Sequence, residues 1–145
     1  MPFRKHFAAL IGLLLLLATP AQAGPREDAD RVRTLFERTF NAGDWDKLAT
    51  LFTADAHYFG GVRDELVVGQ NAVRAYLTSL PKGLKVTMRE HAVVQLEPTV
   101  LLSSGYLVVT TPSGGQSGFK MTMVLHNVGG YWLIAQYHAA QMQKQ

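Results

Sequence analysis

Residues 85–142 read KVTMREHAVVQLEPTVLLSSGYLVVTTPSGGQSGFKMTMVLHNVGGYWLIAQYHAAQM, and this stretch decides the fold. Polar and apolar residues alternate with a period of two, the pattern of strands with one buried face. Four strands fit: Lys85–Leu96, Val100–Thr111, Ser117–Val128 and Tyr131–Met142. The separators are Glu97-Pro98, Pro112-Ser113-Gly114-Gly115 and Gly129-Gly130, each of turn composition. Consecutive strands joined by short turns make a twisted antiparallel meander, with one face free to hold helices.

Upstream of Lys85 the period is helical. Asp28 or Asp30 can cap a first helix in which Val32, Leu35, Phe36 and Phe40 recur on one face, and Gly43 ends it. Asp44 then caps a short second helix with Trp45, Leu48, Leu51 and Phe52 inward. Asp55 to Phe59 reads as a short strand broken by Gly60-Gly61. Gln70 to Leu80 reads as a third helix with Val73, Tyr76, Leu77 and Leu80 inward, stopped by Pro81 and Gly83. The expectation is a single α+β domain: three N-terminal helices packed on a curved, mostly antiparallel sheet.

Residues 1–23 stand apart from this pattern. Arg4 and Lys5 precede an apolar run from Ala8 to Ala18, Pro20 breaks it, and Ala21-Gln22-Ala23 offers small residues where a signal peptidase reads. The run is too short for a permanent bilayer anchor, which needs about 20 residues. A signal peptide cleaved after Ala23 is therefore expected, with the mature domain at 24–145, a periplasmic or secreted location and no stable membrane anchor. Of 14 Lys+Arg and 11 Asp+Glu, two basic residues and no acidic one lie in this segment, leaving 12 against 11, or +1. The remaining basic residues are dispersed, so nucleic acid is not expected as a partner. The chain has no cysteine, which excludes thiol catalysis and disulfides. His57, His91, His126 and His138 have no ligand-like spacing, so neither a metal nor a cofactor is expected.

Three segments carry a family resemblance. Asn41-Ala42-Gly43-Asp44-Trp45-Asp46, Leu51-Phe52-Thr53-Ala54-Asp55-Ala56 and Gly69-Gln70-Asn71-Ala72-Val73 closely resemble the nuclear-transport-factor-2-like superfamily. The ending Gly130-Tyr131-Trp132-Leu133-Ile134-Ala135-Gln136-Tyr137-His138-Ala139-Ala140 is similar to the SnoaL-like branch and to kinase-association-domain-like bacterial proteins. The resemblance covers about residues 28–142. It implies a cone-shaped domain with a cavity on the concave side and a homodimer formed through the sheet, to which Leu101, Leu107 and Val109 would contribute. It implies no single activity, because the fold hosts isomerases, dehydratases, cyclases, hydrolases and binding modules.

Ketosteroid-isomerase chemistry needs a carboxylate base and two hydrogen-bond donors facing an oxyanion. Matching the similar segments puts Gly60 at the base position, Phe36 at the tyrosine donor and Thr122 at the protonated aspartate, so that chemistry is not expected. The catalytic candidates that remain are Lys120, Tyr137 and His138: a cation for an oxyanion, a phenol, and an imidazole able to act as acid or base. Tyr58, Tyr76 and Thr122 join them as candidate ligand contacts, since a buried phenol needs a partner and a ligand can be one. If Gly129-Gly130 form a two-residue turn, Lys120, Thr122, Val124, Ala135 and Tyr137 share one face. A bulge would instead set Lys120 across from His138. The unbulged register is expected, which makes Lys120 and Tyr137 the pocket pair. The reading is an exported protein binding a small apolar or aromatic molecule. An isomerase, cyclase or dehydratase on an apolar cyclic substrate, or a homodimeric assembly module, are the alternatives.

Overall fold

A computed structural model describes residues 23–143; apart from Ala23, the expected signal segment lies outside them. Helix α1 spans Pro25–Ala42 and starts earlier than the acidic residues suggested. Pro25 occupies the first turn, where a missing N–H goes unused and the fixed φ suits a helix. Gly43 closes α1 at φ 67°, donating to the carbonyl of Phe40. Asp44 caps α2 (Trp45–Ala49), its carboxylate accepting from the Lys47 N–H at 3.0 Å. Phe52, expected on α2, opens strand β1 (Phe52–Phe59) instead.

The rest of the chain is β2 (Leu66–Val68), α3 (Gln70–Thr78), β3 (Lys85–Glu97), β4 (Val100–Thr110), β5 (Gln116–Val128) and β6 (Tyr131–Gln141). The four long strands form the expected meander, and the whole sheet runs β2-β1-β6-β5-β4-β3. β1 joins it parallel to β6, and β2 pairs antiparallel with β1 at the edge. Three residues carry too little pattern to announce β2 in the sequence. The opposite edge, β3, is covered by α1. The side chain of Asn41 donates to the carbonyl of Val86 at 2.9 Å and accepts from its N–H at 2.7 Å, and Glu37 accepts from the N–H of Met88 at 2.8 Å. A helix thus supplies bonds that a further strand would have made.

The helices bury Val32, Phe36, Phe40, Leu48, Val73 and Leu77 against the concave face of the sheet. Two bulges decide which strand residues reach that face. In β6 the pairs run regularly from Val128↔Tyr131 to Leu125↔Ile134, then resume at Val124↔Gln136, leaving Ala135 unpaired. In β3 a shift between Arg89 and His91 places Glu90 at φ 22°. The apolar residues expected on the outer face need correcting. Leu101 and Leu107 are fully buried in the core and Val109 packs against it. β4 has apolar residues at both parities, so its alternation does not say which side faces the helices. Leu102, Tyr106 and Val108 take the outer face, where Leu102 pairs with Val94 and Val124.

Candidate functional site

An aromatic column crosses the concave side. Phe36 and Phe40 lie one turn apart on α1, with ring centroids at 6.1 Å. Phe36 stacks on Tyr137 at 5.4 Å and 9°, and Tyr137 stacks on Tyr58 at 4.8 Å and 10°. The parallel pairing of β1 with β6, which sets Tyr58 directly beside Tyr137, produces the second contact. Tyr76 from α3 completes the column, 5.1 Å from Tyr58. The Arg63 guanidinium stands over its ring at 5.2 Å and also donates to Ser79 Oγ.

The turn after β1 roofs this column at very short range. A Cβ on Gly60 would stand 2.1 Å from Tyr76 Oη, and one on Gly61 would stand 2.4 Å from the Phe119 ring. Glycine is needed here for space. Beneath it lies a cavity of about 30 Å³ bounded by Tyr58, Tyr76, Tyr137, Phe36, Phe119 and Val62. It holds about one water, whereas pockets for small molecules usually offer about 300–1,000 Å³.

The cavity is neutral and donor-rich. Burial pushes the Tyr58 phenol well above its ordinary 10.0, and the neighbouring Tyr137 and Tyr76 push it further. Tyr137 is raised by burial and then by Tyr76. Tyr76 is raised by burial and partly eased by the backbone N–H groups of Val62 and Arg63. Neither of those groups makes a bond of normal geometry to it, so Tyr76 Oη is buried without a partner. No carboxylate, imidazole or amide side chain lines the cavity among the described residues. Such a site can donate hydrogen bonds to an acceptor, but it has no ready base.

The sequence candidates divide between the two faces of the sheet. Tyr58, Tyr76 and Tyr137 meet in the column. Lys120, Thr122 and His138 lie together on the outer face, where Lys120 pairs with Ala140 and Thr122 with His138. Lys120 and His138 are exposed, and the His138 ring rests 5.5 Å from Phe59. Neither expected register holds along the whole hairpin. The bulge at Ala135 lies on β6, so it turns Tyr137 inward and away from Lys120 and sets Thr122, not Lys120, across from His138. Met121 and Met123, the neighbours of Thr122, are buried in the core with Phe119 and Leu125 of the same strand. Phe36 does border the cavity and Gly60 stands against Tyr76 and Tyr58 beside it, and neither brings an ionisable group. The sequence reading missed Phe119 and Val62 as lining residues. The Gly60-Gly61 pair was their signal, and it reads equally well as an ordinary strand breaker.

Three helices over one curved sheet, closed on an aromatic interior, define an α+β protein of the nuclear-transport-factor-2-like superfamily. Residues 30–143 match the SnoaL-like domain, and the chain belongs to that family. No curated protein matches it in sequence. Among solved structures it is similar to a Xanthomonas campestris protein provisionally described as a calcium/calmodulin-dependent protein kinase II association domain. That likeness has 23% identity, a TM-score of 0.75, and covers 88% of this chain and 94% of that one. An NTF2-like protein with a cystatin-like fold from Novosphingobium aromaticivorans gives 16% identity and a TM-score of 0.72 over 83% and 84% of the two chains. A ketosteroid isomerase-like protein from Erwinia carotovora atroseptica gives 16% and 0.66 over 81% and 95%. At these identities the likeness is one of fold.

Proposed function

We propose that the protein is an exported SnoaL-like domain that binds a small, neutral, apolar or aromatic molecule carrying a hydrogen-bond acceptor, such as a ketone or quinone. The observation that carries this reading is the buried, unpartnered hydroxyl of Tyr76 in a column with two further phenols that stay protonated. An acceptor on the ligand would satisfy it, whereas an anionic ligand would find no cation on the cavity lining, and the nearby Arg63 is already held by Glu65 at 3.3 Å and by Ser79 Oγ. The cavity must widen to take such a molecule, and the largely exposed 61–65 turn, with Val62 half exposed, is the part of its wall that would have to lift. Export rests on the pattern of residues 1–23. The test is native mass spectrometry of protein recovered from its host's periplasm, followed by calorimetric titration with paired aromatic ketones and carboxylates. A small-molecule adduct on each subunit and binding of ketones alone are expected. Tyr76→Phe should weaken that binding by up to about tenfold, the worth of one hydrogen bond. Equal affinity for the carboxylates would overturn the reading.

The enzyme alternative lacks support from the cavity wall, which offers no base. A homodimeric assembly module is the second reading, favoured by a nearly filled interior and an outer sheet face that exposes Val94 at 52%, Tyr106 at 44% and Phe59 at 40%. It predicts a dimer in light scattering that Val94→Glu with Tyr106→Glu converts to a monomer. A wild-type monomer would remove it.

A further inference from the structure

The seam between α1 and β3 holds a charged cluster that the aromatic cavity does not use. Arg33 is buried, at 7% exposure, and its Nη1 donates to Nδ1 of His91. Its Nη2 reaches the carbonyl of Arg89 at 3.4 Å, and its Nε is buried with no partner. Asp30 lies 3.6 Å from Arg33 on one side and 2.8 Å from His91 Nε2 on the other. The second contact is too oblique to be a hydrogen bond. A guanidinium carries donors only, so Nδ1 must be the acceptor. The imidazole is therefore neutral, with its single proton on Nε2, the nitrogen beside the carboxylate.

The backbone is shaped to make this meeting possible. Glu90 at φ 22° is the bulge residue that turns His91 toward α1, a conformation that persists only where its surroundings enforce it. Opposite it, a Cβ on Gly105 would stand 2.3 Å from the Glu90 carbonyl, so the bulge requires a glycine there.

We propose that Asp30, Arg33 and His91 form an acid-sensitive clamp between α1 and β3, closed while His91 is neutral and loosened when its ring takes a second proton. A protonated imidazole takes from Arg33 Nη1 its hydrogen-bond acceptor and sets two cations together at side chains only 8% exposed. The groups facing His91 are Asp30, Arg33 and, more distantly, Arg26 from α1. Arg89 and Glu90 flank it on its own strand, and Tyr106 and Lys120 border the shallow depression on β4 and β5. Burial first and Arg33 second hold His91 below its ordinary 6.5, against the opposing pull of Asp30. Below that value the unfolded chain binds a proton that the folded one resists. The clamp's stabilisation is thus complete above 6.5 and is lost as the pH falls.

The test combines 15N NMR of the imidazole rings with thermal unfolding of the purified protein between about pH 7 and pH 5, a window spanning the histidine titration. His91 should show the Nε2–H form at neutral pH and a protonation midpoint below 6.5. Glutamine can accept from Arg33 and donate to Asp30 without titrating. His91→Gln should therefore flatten the fall in Tm that the wild type shows toward acid. Should that variant fail to fold, Arg33→Met serves, since removing the guanidinium should move the His91 midpoint upward. An Nδ1–H tautomer, a midpoint at or above 6.5, or parallel Tm curves for wild type and His91→Gln would overturn the proposal.

Discussion

Ser103 sits between Val93 and Met123 in the sheet with no exposed surface, and its Oγ has no hydrogen-bond partner. A buried hydroxyl without a partner is a net penalty, and removing it relieves the desolvation while sacrificing little packing. Ser103→Ala is expected to stabilise the domain by about 1 kcal/mol, read as a higher urea midpoint with an unchanged slope. A lower midpoint would mean that the hydroxyl is bonded in solution. Asn41 presents the reverse case, because its amide satisfies both backbone groups of Val86. Asn41→Ala orphans a donor and an acceptor at a part-buried edge and should destabilise by about 2 kcal/mol. A change within the error of the same denaturation experiment would show that water replaces the amide there. The three column tyrosines were legible from the sequence because a phenol among inward-facing apolar residues needs a partner. The pair of Asn41 with Val86 was not legible, since nothing local links residues 45 positions apart.

At the scale of elements, turn chemistry made the strand limits legible. Gly129-Gly130 and Pro112 to Gly115 punctuate the meander, and β5 and β6 begin and end within a residue of where those turns place them. Register was harder, because a bulge has no composition of its own. Its trace is a change of parity: Ile134 and then Tyr137 face inward in β6, as do Met88 and then His91 in β3. The sequence reading held the period at two throughout, and so carried Lys120 and Thr122 to the same side as Tyr137. The bulge itself is testable. Deleting Ala135 removes the extra residue and leaves Gln136, Tyr137 and His138 opposite Val124, Met123 and Thr122, so pairing becomes uniform while Tyr137 and Ala139 still face inward. Keeping the column's contacts, the deleted chain should retain the near-ultraviolet circular dichroism of the stacked tyrosines and unfold cooperatively. Loss of that spectrum would show that Ala135 is not the extra residue of this strand.

At the scale of the whole molecule, Tyr58, Tyr76 and Tyr137 come from β1, α3 and β6, so their ionisation is tied to the unfolding of the domain as a unit. All three phenols are raised above 10.0 in the folded state, chiefly by burial. At alkaline pH the unfolded chain therefore releases protons that the folded chain retains. This stabilisation is full below 10.0 and is lost as the pH rises toward the folded values. An ultraviolet titration monitored alongside far-ultraviolet circular dichroism should show these phenols ionising in one step, coincident with the loss of secondary structure. Tyr137→Phe removes one of the retained protons, so the pH dependence of unfolding above 10.0 should become less steep by about one proton. If the column ionised gradually while the far-ultraviolet spectrum stayed native, the phenols would be open to solvent. The cavity would then be a wet cleft, and the preference for neutral acceptors over carboxylates would fail with it.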